Sequence, residues 1–268
     1  MSTLALLARP RAGALDAPAP SLRARRLVQR NFFIYRRTPL IILTGIVEPF
    51  LYLGSIGVGV GHYVGSIEGV SYSQFVAPGL LAGAAMSGAV FDSTFNIYFK
   101  LKLARTYDAI LSTPLGVRDV AIGEVTWALL RGAFYAALFL VAMAATGLVT
   151  SAWALLALPA AVLIGFAFAA VGLAATSYMR GFQDFDLVQL VVLPLFLFST
   201  SFYPITTYPG WLRVIVRCTP LYHGVALERS VILGTVGWGS LGHVAYLAVM
   251  GLVGIAVGTR RLGALLLR

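Results

Sequence analysis

Residues 153–177 read WALLALPAAVLIGFAFAAVGLAATS, a run of 25 residues without a charged side chain. A helix of about 20 residues crosses the hydrocarbon core of a bilayer, so this run is long enough and apolar enough to span a membrane. Similar runs recur along the chain. They predict six transmembrane helices, at residues 40–61, 74–98, 120–146, 153–177, 185–202 and 237–258.

The composition of the whole chain supports the same fold class. Of its 268 residues, 59% are hydrophobic and 11% are charged, whereas a soluble domain is about 45–50% apolar and roughly 25% charged. A soluble fold must enclose its apolar core in a polar shell, and this chain has too few polar residues to form one. We therefore predict an all-α integral membrane protein whose outer surface is covered by the lipid bilayer.

The distribution of basic residues predicts the orientation in the membrane. The loops at 99–119 and 178–184 carry lysine or arginine, as do both ends of the chain, whereas the loops at 62–73 and 147–152 carry neither. Cationic loops stay on the cytoplasmic side, so both termini are predicted to be cytoplasmic. The excess of arginine over lysine is typical of GC-rich bacteria and indicates a bacterial cytoplasmic membrane. The net charge of +10 then reflects topology and argues against nucleic acid as a partner.

The region before the first span divides into two parts. Residues 1–20 contain three prolines and are predicted to form a disordered cytoplasmic tail. Residues 21–38 place arginines on one side of a helix and mostly apolar residues on the other, which predicts an amphipathic helix in the membrane surface. Its representative side chains are Arg26, Arg30, Phe32 and Tyr35. Thr38-Pro39 ends this helix, and residues 39–268 form the six-helix transmembrane domain.

The segment 203–236 departs from the charge pattern. It is predicted to lie outside the cell, yet it contains Arg213, Arg217 and Arg229 together with several prolines. Its apolar stretches are too short to cross a bilayer, so we predict one or two short helices that enter the outer leaflet and return. A structured external loop on the membrane surface is the alternative, and the sequence leaves both open.

The charged residues Glu48, Asp92, Glu124 and Arg131 lie inside predicted spans. Charged groups in hydrocarbon are costly and are usually paired with each other or face a polar cavity. Glu48, beside Pro49, lies nearest the middle of its span, whereas Asp92 and Glu124 lie toward the cytoplasmic ends. Glu48 and Arg131 are candidates either for a structural pair or for ligands of a transported substrate.

The chain has no recognisable means of binding a nucleotide phosphate. A phosphate-binding loop requires glycine immediately before its lysine, but Lys100 and Lys102 follow Phe99 and Leu101. A self-powered secondary transporter is one alternative, although the two halves of the chain show no internal repeat. An intramembrane enzyme is another, although the histidines are scattered without metal-binding spacing and no metal site is predicted.

Three parts of the sequence, two stretches and the amphipathic helix before the first span, resemble a known protein family. Residues 75–124 read FVAPGLLAGAAMSGAVFDSTFNIYFKLKLARTYDAILSTPLGVRDVAIGE, and residues 198–224 read FSTSFYPITTYPGWLRVIVRCTPLYHG. In these stretches the chain resembles the permease subunits of ABC-2 type exporters. It is most similar to the nodulation-factor exporter permeases, and next to the daunorubicin-type drug exporter permeases. The order of elements matches over nearly the whole chain after residue 20.

The resemblance implies an assembly and a source of energy. Two six-helix permeases, either a homodimer or this chain with a related permease, would pair with two copies of an ABC ATPase subunit. ATP and Mg²⁺ would be bound by that partner, so this chain would need no cofactor and would not itself be an enzyme. The complex would export a hydrophobic or lipid-linked substrate or a drug. The sequence does not identify the substrate.

The resemblance also assigns roles to individual segments. The loop after the second span would form a coupling helix at about 100–112 that docks in a groove of the ATPase. The proposed contacts are Lys102, Arg105, Tyr107, Asp108 and Ile110. A solvated loop helix without a partner is the alternative. Residues 21–38 would be the interface helix, and Asp92 stands where this branch has glutamate. The external re-entrant region would include Pro204, Pro209, Trp211, Pro220 and Tyr222.

Overall fold

The computed structural model describes residues 20–36 and 47–266, with side chains described from residue 25 onward in the first of these ranges. The predicted tail, the Thr38-Pro39 stop and the beginning of the first span lie outside the described residues. Within the described ranges the chain is helical except for one two-stranded hairpin and short connections.

The longer helices are α1 (Pro20–Tyr35), α2 (residues 47–64), α3 (Tyr72–Phe91), α5 (Val117–Ala145), α6 (Ala157–Thr176), α7 (Asp184–Leu197), α9 (Pro220–Leu233) and α10 (Trp238–Leu266). Two shorter helices are α4 (Thr106–Leu111) and α8 (Gly210–Cys218). The antiparallel hairpin pairs β1 (Ser66–Ile67) with β2 (Val70–Ser71). Wide π-helical turns occur at Leu53–Val60, Asp92–Asn96 and Phe99–Leu103. Single 3-10 turns occur at Ala152–Leu156 and Ile205–Thr207.

Four helical segments among the described residues are long and apolar enough to cross a membrane. They are Tyr72–Leu103, Val117–Ala145, Ala152–Thr176 and Trp238–Leu266. These segments correspond to the second, third, fourth and sixth predicted spans, so an all-α membrane protein is confirmed. The count of six crossings stays a prediction, because the first span begins outside the described residues and α7 is short.

The fifth predicted span differs from its observed helix. Residues 185–202 were expected to form one helix, but α7 has 14 residues and ends at Leu197. Ser199, Thr200 and Ser201 then form a buried turn, in which Thr200 has a positive φ of 65°. The chain therefore leaves the helix before the predicted end of the span.

Helix α6 lies at the centre of the bundle, where it packs against α3, α5 and α10. Small residues allow the closest of these approaches. A Cβ atom added at Gly254 of α10 would lie 2.8 Å from the backbone of Ala170 and Val171 in α6. Helices approach this closely in lipid only where side chains are absent or very small. The glycine spacing thus determines how α10 packs on α6.

The segment 203–236 forms two short helices, α8 and α9, as the sequence predicts. Pro204 and Pro209 immediately precede helical turns, and Pro220 occupies the first position of α9, where a missing N–H costs no hydrogen bond. Helix α9 is largely buried against α3, α6 and α10, whereas α8 exposes Trp211. Whether the pair enters the outer leaflet stays a prediction.

Candidate functional site

The predicted coupling helix is shorter than expected and is interrupted. In place of one helix over 100–112, a π-helical turn ends at Leu103, and Arg105 adopts a left-handed backbone conformation with φ 44°. Only Thr106–Leu111 then forms α-helix. A left-handed residue other than glycine is unfavourable by itself, so packing of the residues that follow must hold it there.

Tyr107 and Ile110 supply that packing. Their side chains are 1% and 8% exposed, and both belong to the core cluster that includes Leu27 of α1. Burial, together with the negative charge of Glu124, raises the pKa of Tyr107 well above its usual range, so its phenol stays protonated. Both side chains are enclosed within the single chain, so they contact its core, and their predicted contact with an ATPase stays a prediction.

The other predicted coupling residues remain accessible. Lys102, Arg105 and Asp108 are exposed on the same connection. The exposed surface of this connection thus carries charged groups beside the exposed Leu103, while Tyr107 and Ile110 of α4 face inward. We call this connection, residues 102–112, the coupling loop.

A buried ion pair lies directly behind the coupling loop. The Nζ of Lys100 is 2.6 Å from Oε2 of Glu124 on α5, and the Nδ2 of Asn31 donates to the same oxygen at 3.3 Å. The Nζ of Lys100 also donates to Oδ1 of Asn31 at 3.5 Å. These three residues come from α1, from the end of the helical segment Tyr72–Leu103, which we call the α3 segment, and from α5. Because a buried charge needs a partner, the triad joins the three helices.

A second polar cluster lies two turns further along α5. Arg131 forms an ion pair with Asp92, and the Nδ2 of Asn96 donates to Oδ1 of Asp92 at 2.8 Å and to the hydroxyl of Tyr35 at 2.9 Å. The guanidinium of Arg131 also lies 5.1 Å from the centre of the Tyr35 ring. The cluster again connects α1, the α3 segment and α5.

These contacts decide the alternative left open for Glu48 and Arg131. The ion-pair partner of Arg131 is Asp92, and Glu124 is paired with Lys100. Glu48 is exposed in the single chain and forms no ion pair with the described residues. Its carboxylate instead lines a cavity together with Arg131.

This cavity, of about 590 Å³, lies between α2, α3, α5 and α7. Its walls are mostly apolar, and a few polar side chains face into it: Glu48, Ser87, Thr94, Arg131, Tyr135 and Gln189. A smaller adjoining cavity of about 170 Å³ shares Glu48, Ser87 and Gln189. An apolar cavity with a few convergent polar groups is the usual form of a small-molecule site. We call the two together the central cavity.

Sequence reasoning did not find several of these residues. Gln189 is a polar side chain within an apolar run, and this signal was available from the sequence. The partners Asn31 and Lys100 were not predictable, because they meet Glu124 only when α1 and α3 pack on α5.

Two of the three arginines of the segment 203–236, Arg213 and Arg229, are explained by backbone contacts, whereas Arg217 is exposed. The Nη2 of Arg229 donates to the carbonyl oxygen of Thr200 at 2.8 Å and to that of Phe75 at 3.3 Å. Its guanidinium also lies 3.9 Å from the centre of the Phe75 ring. The Nη2 of Arg213 donates to the carbonyls of Thr206 and Tyr208. These side chains satisfy carbonyl groups of irregular backbone, so their presence does not require a cytoplasmic location.

The amphipathic helix α1 presents two different faces. Leu27 and Asn31, one turn apart, are buried, and Tyr35 is half-buried beside Trp127 of α5 with ring centres 5.3 Å apart. Arg26 and Phe32 are exposed, and Arg30 is half-buried. The helix therefore packs on α5 with one face and leaves apolar side chains such as Phe32 for lipid.

Comparison with known proteins identifies the class. The family model described as "ABC-2 type transporter" matches residues 23–233, and the chain belongs to that family. Among its relatives, "Nodulation protein J" of Rhizobium leguminosarum bv. trifolii is 32% identical over 253 residues, which cover 94% of this chain and 97% of the relative. "Nodulation protein J" of Rhizobium meliloti (strain 1021) is 30% identical, covering 77% of this chain and 80% of the relative. "Inner membrane transport permease YadH" of Escherichia coli (strain K12) is 26% identical, covering 70% and 74%.

Proposed function

We propose that the chain is the transmembrane permease subunit of an ATP-binding-cassette exporter of a bacterial cytoplasmic membrane, with both termini cytoplasmic. ATP and Mg²⁺ are bound by a separate ABC ATPase, present in two copies, and the chain itself is not catalytic. The exported compound is hydrophobic or lipid-linked, or is a drug. Family membership supports this assignment. The single structural observation that carries it is the polar connection between the coupling loop and the central cavity.

This connection can be followed residue by residue. Tyr107, at the base of the coupling loop, faces Glu124, and Glu124 pairs with Lys100. Two turns along α5, Arg131 pairs with Asp92 and also lines the central cavity opposite Glu48. A displacement of the coupling loop by the ATPase is therefore transmitted through α5 and the α3 segment to the cavity walls. The exposed Asp108, Lys102 and Arg105 are the groups that contact the ATPase in this proposal.

A second permease completes the central cavity in this proposal. Helix α7 has no buried residue among its 14 within the described chain, and Leu190 on it is 69% exposed. Glu48 and Gln189 of α7 both line the central cavity. A charged group at this depth is costly if it faces lipid. A second copy, or a related permease, would cover α7 and enclose Glu48.

The charge reversal Asp108→Arg tests the coupling surface. The exposed site tolerates the change, so the permease should fold and assemble normally. Contact with the ATPase should weaken, and substrate-stimulated ATP hydrolysis and export should fall by roughly tenfold or more, as for a like-charge contact at an interface. Glu68→Lys, an equally exposed charge reversal in the β-hairpin, is the matched control. Reconstituted proteoliposomes that contain the permease and its ATPase provide the measurement.

Two results would contradict the proposal. Equal effects of Asp108→Arg and Glu68→Lys would remove the coupling loop from the mechanism. Transport by the purified chain alone, with no ATPase and no ATP, would instead identify a self-powered secondary transporter.

A further inference from the structure

A second groove lies beside α7, on a face that adjoins the central cavity and shares Val188 and Val192 with it. It has a volume of about 830 Å³ and lies between the α3 segment, α6 and α7. Its walls are apolar along most of its length, with Val90, Phe168, Val171, Leu187, Val191 and Leu195 among the lining residues. We call it the lateral groove. Because α7 has no buried residue in the described chain, its side toward the lateral groove needs an apolar cover.

One end of the lateral groove is cationic. Tyr178 and Arg180, on the connection after α6, line this end. The guanidinium of Arg261, near the end of α10, lies 4.6 Å from the centre of the Tyr178 ring. Arg180 therefore lines this end of the apolar groove, and Arg261 lies next to it through its contact with the Tyr178 ring. The basic-residue distribution predicts that this end faces the cytoplasm.

One carboxylate also lies at this end, and its charge is already compensated. The Oδ2 of Asp184 accepts hydrogen bonds from the backbone N–H groups of Arg180 at 2.6 Å and Gly181 at 3.1 Å. These bonds hold the pKa of Asp184 below its usual range. Among the described residues neither Arg180 nor Arg261 forms an ion pair with Asp184, so both guanidinium groups can donate hydrogen bonds to another anion.

The length of the lateral groove matches one leaflet of a bilayer. Its lining residues on α7 run from Asp184 to Leu195, a distance of roughly 16 Å at the helical rise of about 1.5 Å per residue. Half of the hydrocarbon core of a bilayer is about 15 Å thick. An acyl chain that starts at the cationic end would therefore fill the groove along its length.

We propose that the lateral groove is a binding site for an anionic phospholipid. Its phosphate lies between Arg180 and Arg261, and one acyl chain lies against α6 and α7. Guanidinium groups bind phosphate oxygens through charge-assisted hydrogen bonds, and the apolar walls replace the lipid neighbours of the acyl chain. The bound lipid covers the side of α7 that the protein leaves open and so fixes this helix against α6. The site adjoins the central cavity, and its proposed ligand does not depend on the identity of the exported compound.

Native mass spectrometry of the detergent-purified chain tests whether lipid binding depends on the charge of the head group. Phosphatidylglycerol is titrated against phosphatidylcholine with the same acyl chains, and bound lipid is counted. We expect one phosphatidylglycerol to remain bound at energies that remove phosphatidylcholine. In Arg180→Ala/Arg261→Ala, its affinity should fall roughly tenfold or more, because each arginine at an anionic lipid surface is worth about a fivefold change in affinity. In Arg261→Ala alone, the affinity for phosphatidylglycerol should fall about fivefold.

Matched control variants distinguish a specific binding site from nonspecific attraction to surface charge. Arg260→Ala removes the same charge one residue away, from a side chain about 100° around the helix, and should leave binding unchanged. Ala175→Phe fills the apolar part of the groove without changing its charge, and should reduce phosphatidylglycerol binding as much as the double arginine variant does. Thermal melting of each variant without added lipid shows whether it is folded.

Three results would overturn the proposal. The first is equal retention of phosphatidylglycerol and phosphatidylcholine by the wild-type chain. The second is an equal loss in Arg260→Ala and Arg261→Ala, which would indicate nonspecific attraction. The third is competition by free inorganic phosphate at millimolar concentration without any effect of Ala175→Phe, which would indicate a phosphate site and no lipid site.

Discussion

Arg229 shows how a single charged residue can be misjudged from sequence. The three arginines in residues 203–236 argue against the predicted external location of this segment, because cationic residues usually mark the cytoplasmic side. In the structure Arg229 donates to the carbonyls of Thr200 and Phe75, and so joins the turn after α7 to the start of α3. Its guanidinium group donates hydrogen bonds to backbone carbonyl groups, and the same holds for Arg213. The charge rule applies to solvated loops and fails where an arginine is held by carbonyl groups.

Replacement of Arg229 by methionine should therefore destabilise the bundle. The change leaves the two carbonyl groups without their donor and removes the contact with the Phe75 ring. Hydrogen bonds of a charged group contribute about 1.5–3 kcal/mol, so we expect the free energy of unfolding to fall by about 3 kcal/mol. Titration of the purified chain with a denaturing detergent, followed by circular dichroism, measures this value.

Arg217→Met is the matched comparison, because Arg217 lies exposed in the last turn of α8. It removes the same charge without exposing a carbonyl group. If both variants lost the same stability, the backbone contacts of Arg229 would have no special importance.

At the scale of elements, the sequence predicted the spans well and the coupling region poorly. Apolar runs of sufficient length located α3, α5, α6 and α10, because in lipid the length and hydropathy of a helix are the main constraints. The interruption at Arg105 had no local signal, since residues 102–112 contain neither glycine nor proline. Burial of Tyr107 and Ile110 requires the turn, and such a tertiary requirement overrides local helix propensity.

The approach of α10 to α6 provides a prediction about two elements. Gly254→Leu would place a side chain where the backbone of Ala170 and Val171 lies 2.8 Å from an added Cβ. Overpacking costs about 1–3 kcal/mol, or more where only backbone could move. We expect a melting temperature several degrees lower and a reduced yield of monodisperse protein on size-exclusion chromatography.

Gly263→Leu is the control within the same helix, because an added Cβ at Gly263 meets no atom within 4 Å. This variant should behave like the wild type. Equal loss in both variants would mean that leucine at these positions acts through helix propensity or solubility, and the close approach would not determine the packing.

At the scale of the whole molecule, the chain shows signs of an incomplete assembly. Helix α7 forms part of the wall of the central cavity although none of its side chains is buried by the described chain, and Glu48 lines the same cavity. The sequence identified Glu48 as costly in the membrane. It could not show that Arg131 pairs with Asp92 and leaves Glu48 to the cavity, because that choice depends on how four helices pack.

A cysteine at position 190 tests for the second permease. The chain has one cysteine, Cys218, which is exposed, so Cys218→Ser provides a cysteine-free background. In that background Leu190→Cys should form a disulfide-linked dimer when membranes are oxidised, and reduction should reverse it. Leu252→Cys, on the exposed side of α10 with a similar exposed fraction of 62%, should stay monomeric. Dimer formation by both variants, or by Leu252→Cys alone, would place the second copy elsewhere.

The two polar clusters on α5 also determine how the molecule can move. Glu124 and Arg131 are seven residues apart, so their ion pairs hold α1, the α3 segment and α5 together at two levels about 10 Å apart. Attachment at one level would allow these helices to pivot, whereas attachment at two levels resists both pivoting and sliding. In the proposed mechanism, a push on the coupling loop would therefore cause little bending and would turn all three helices together against α7.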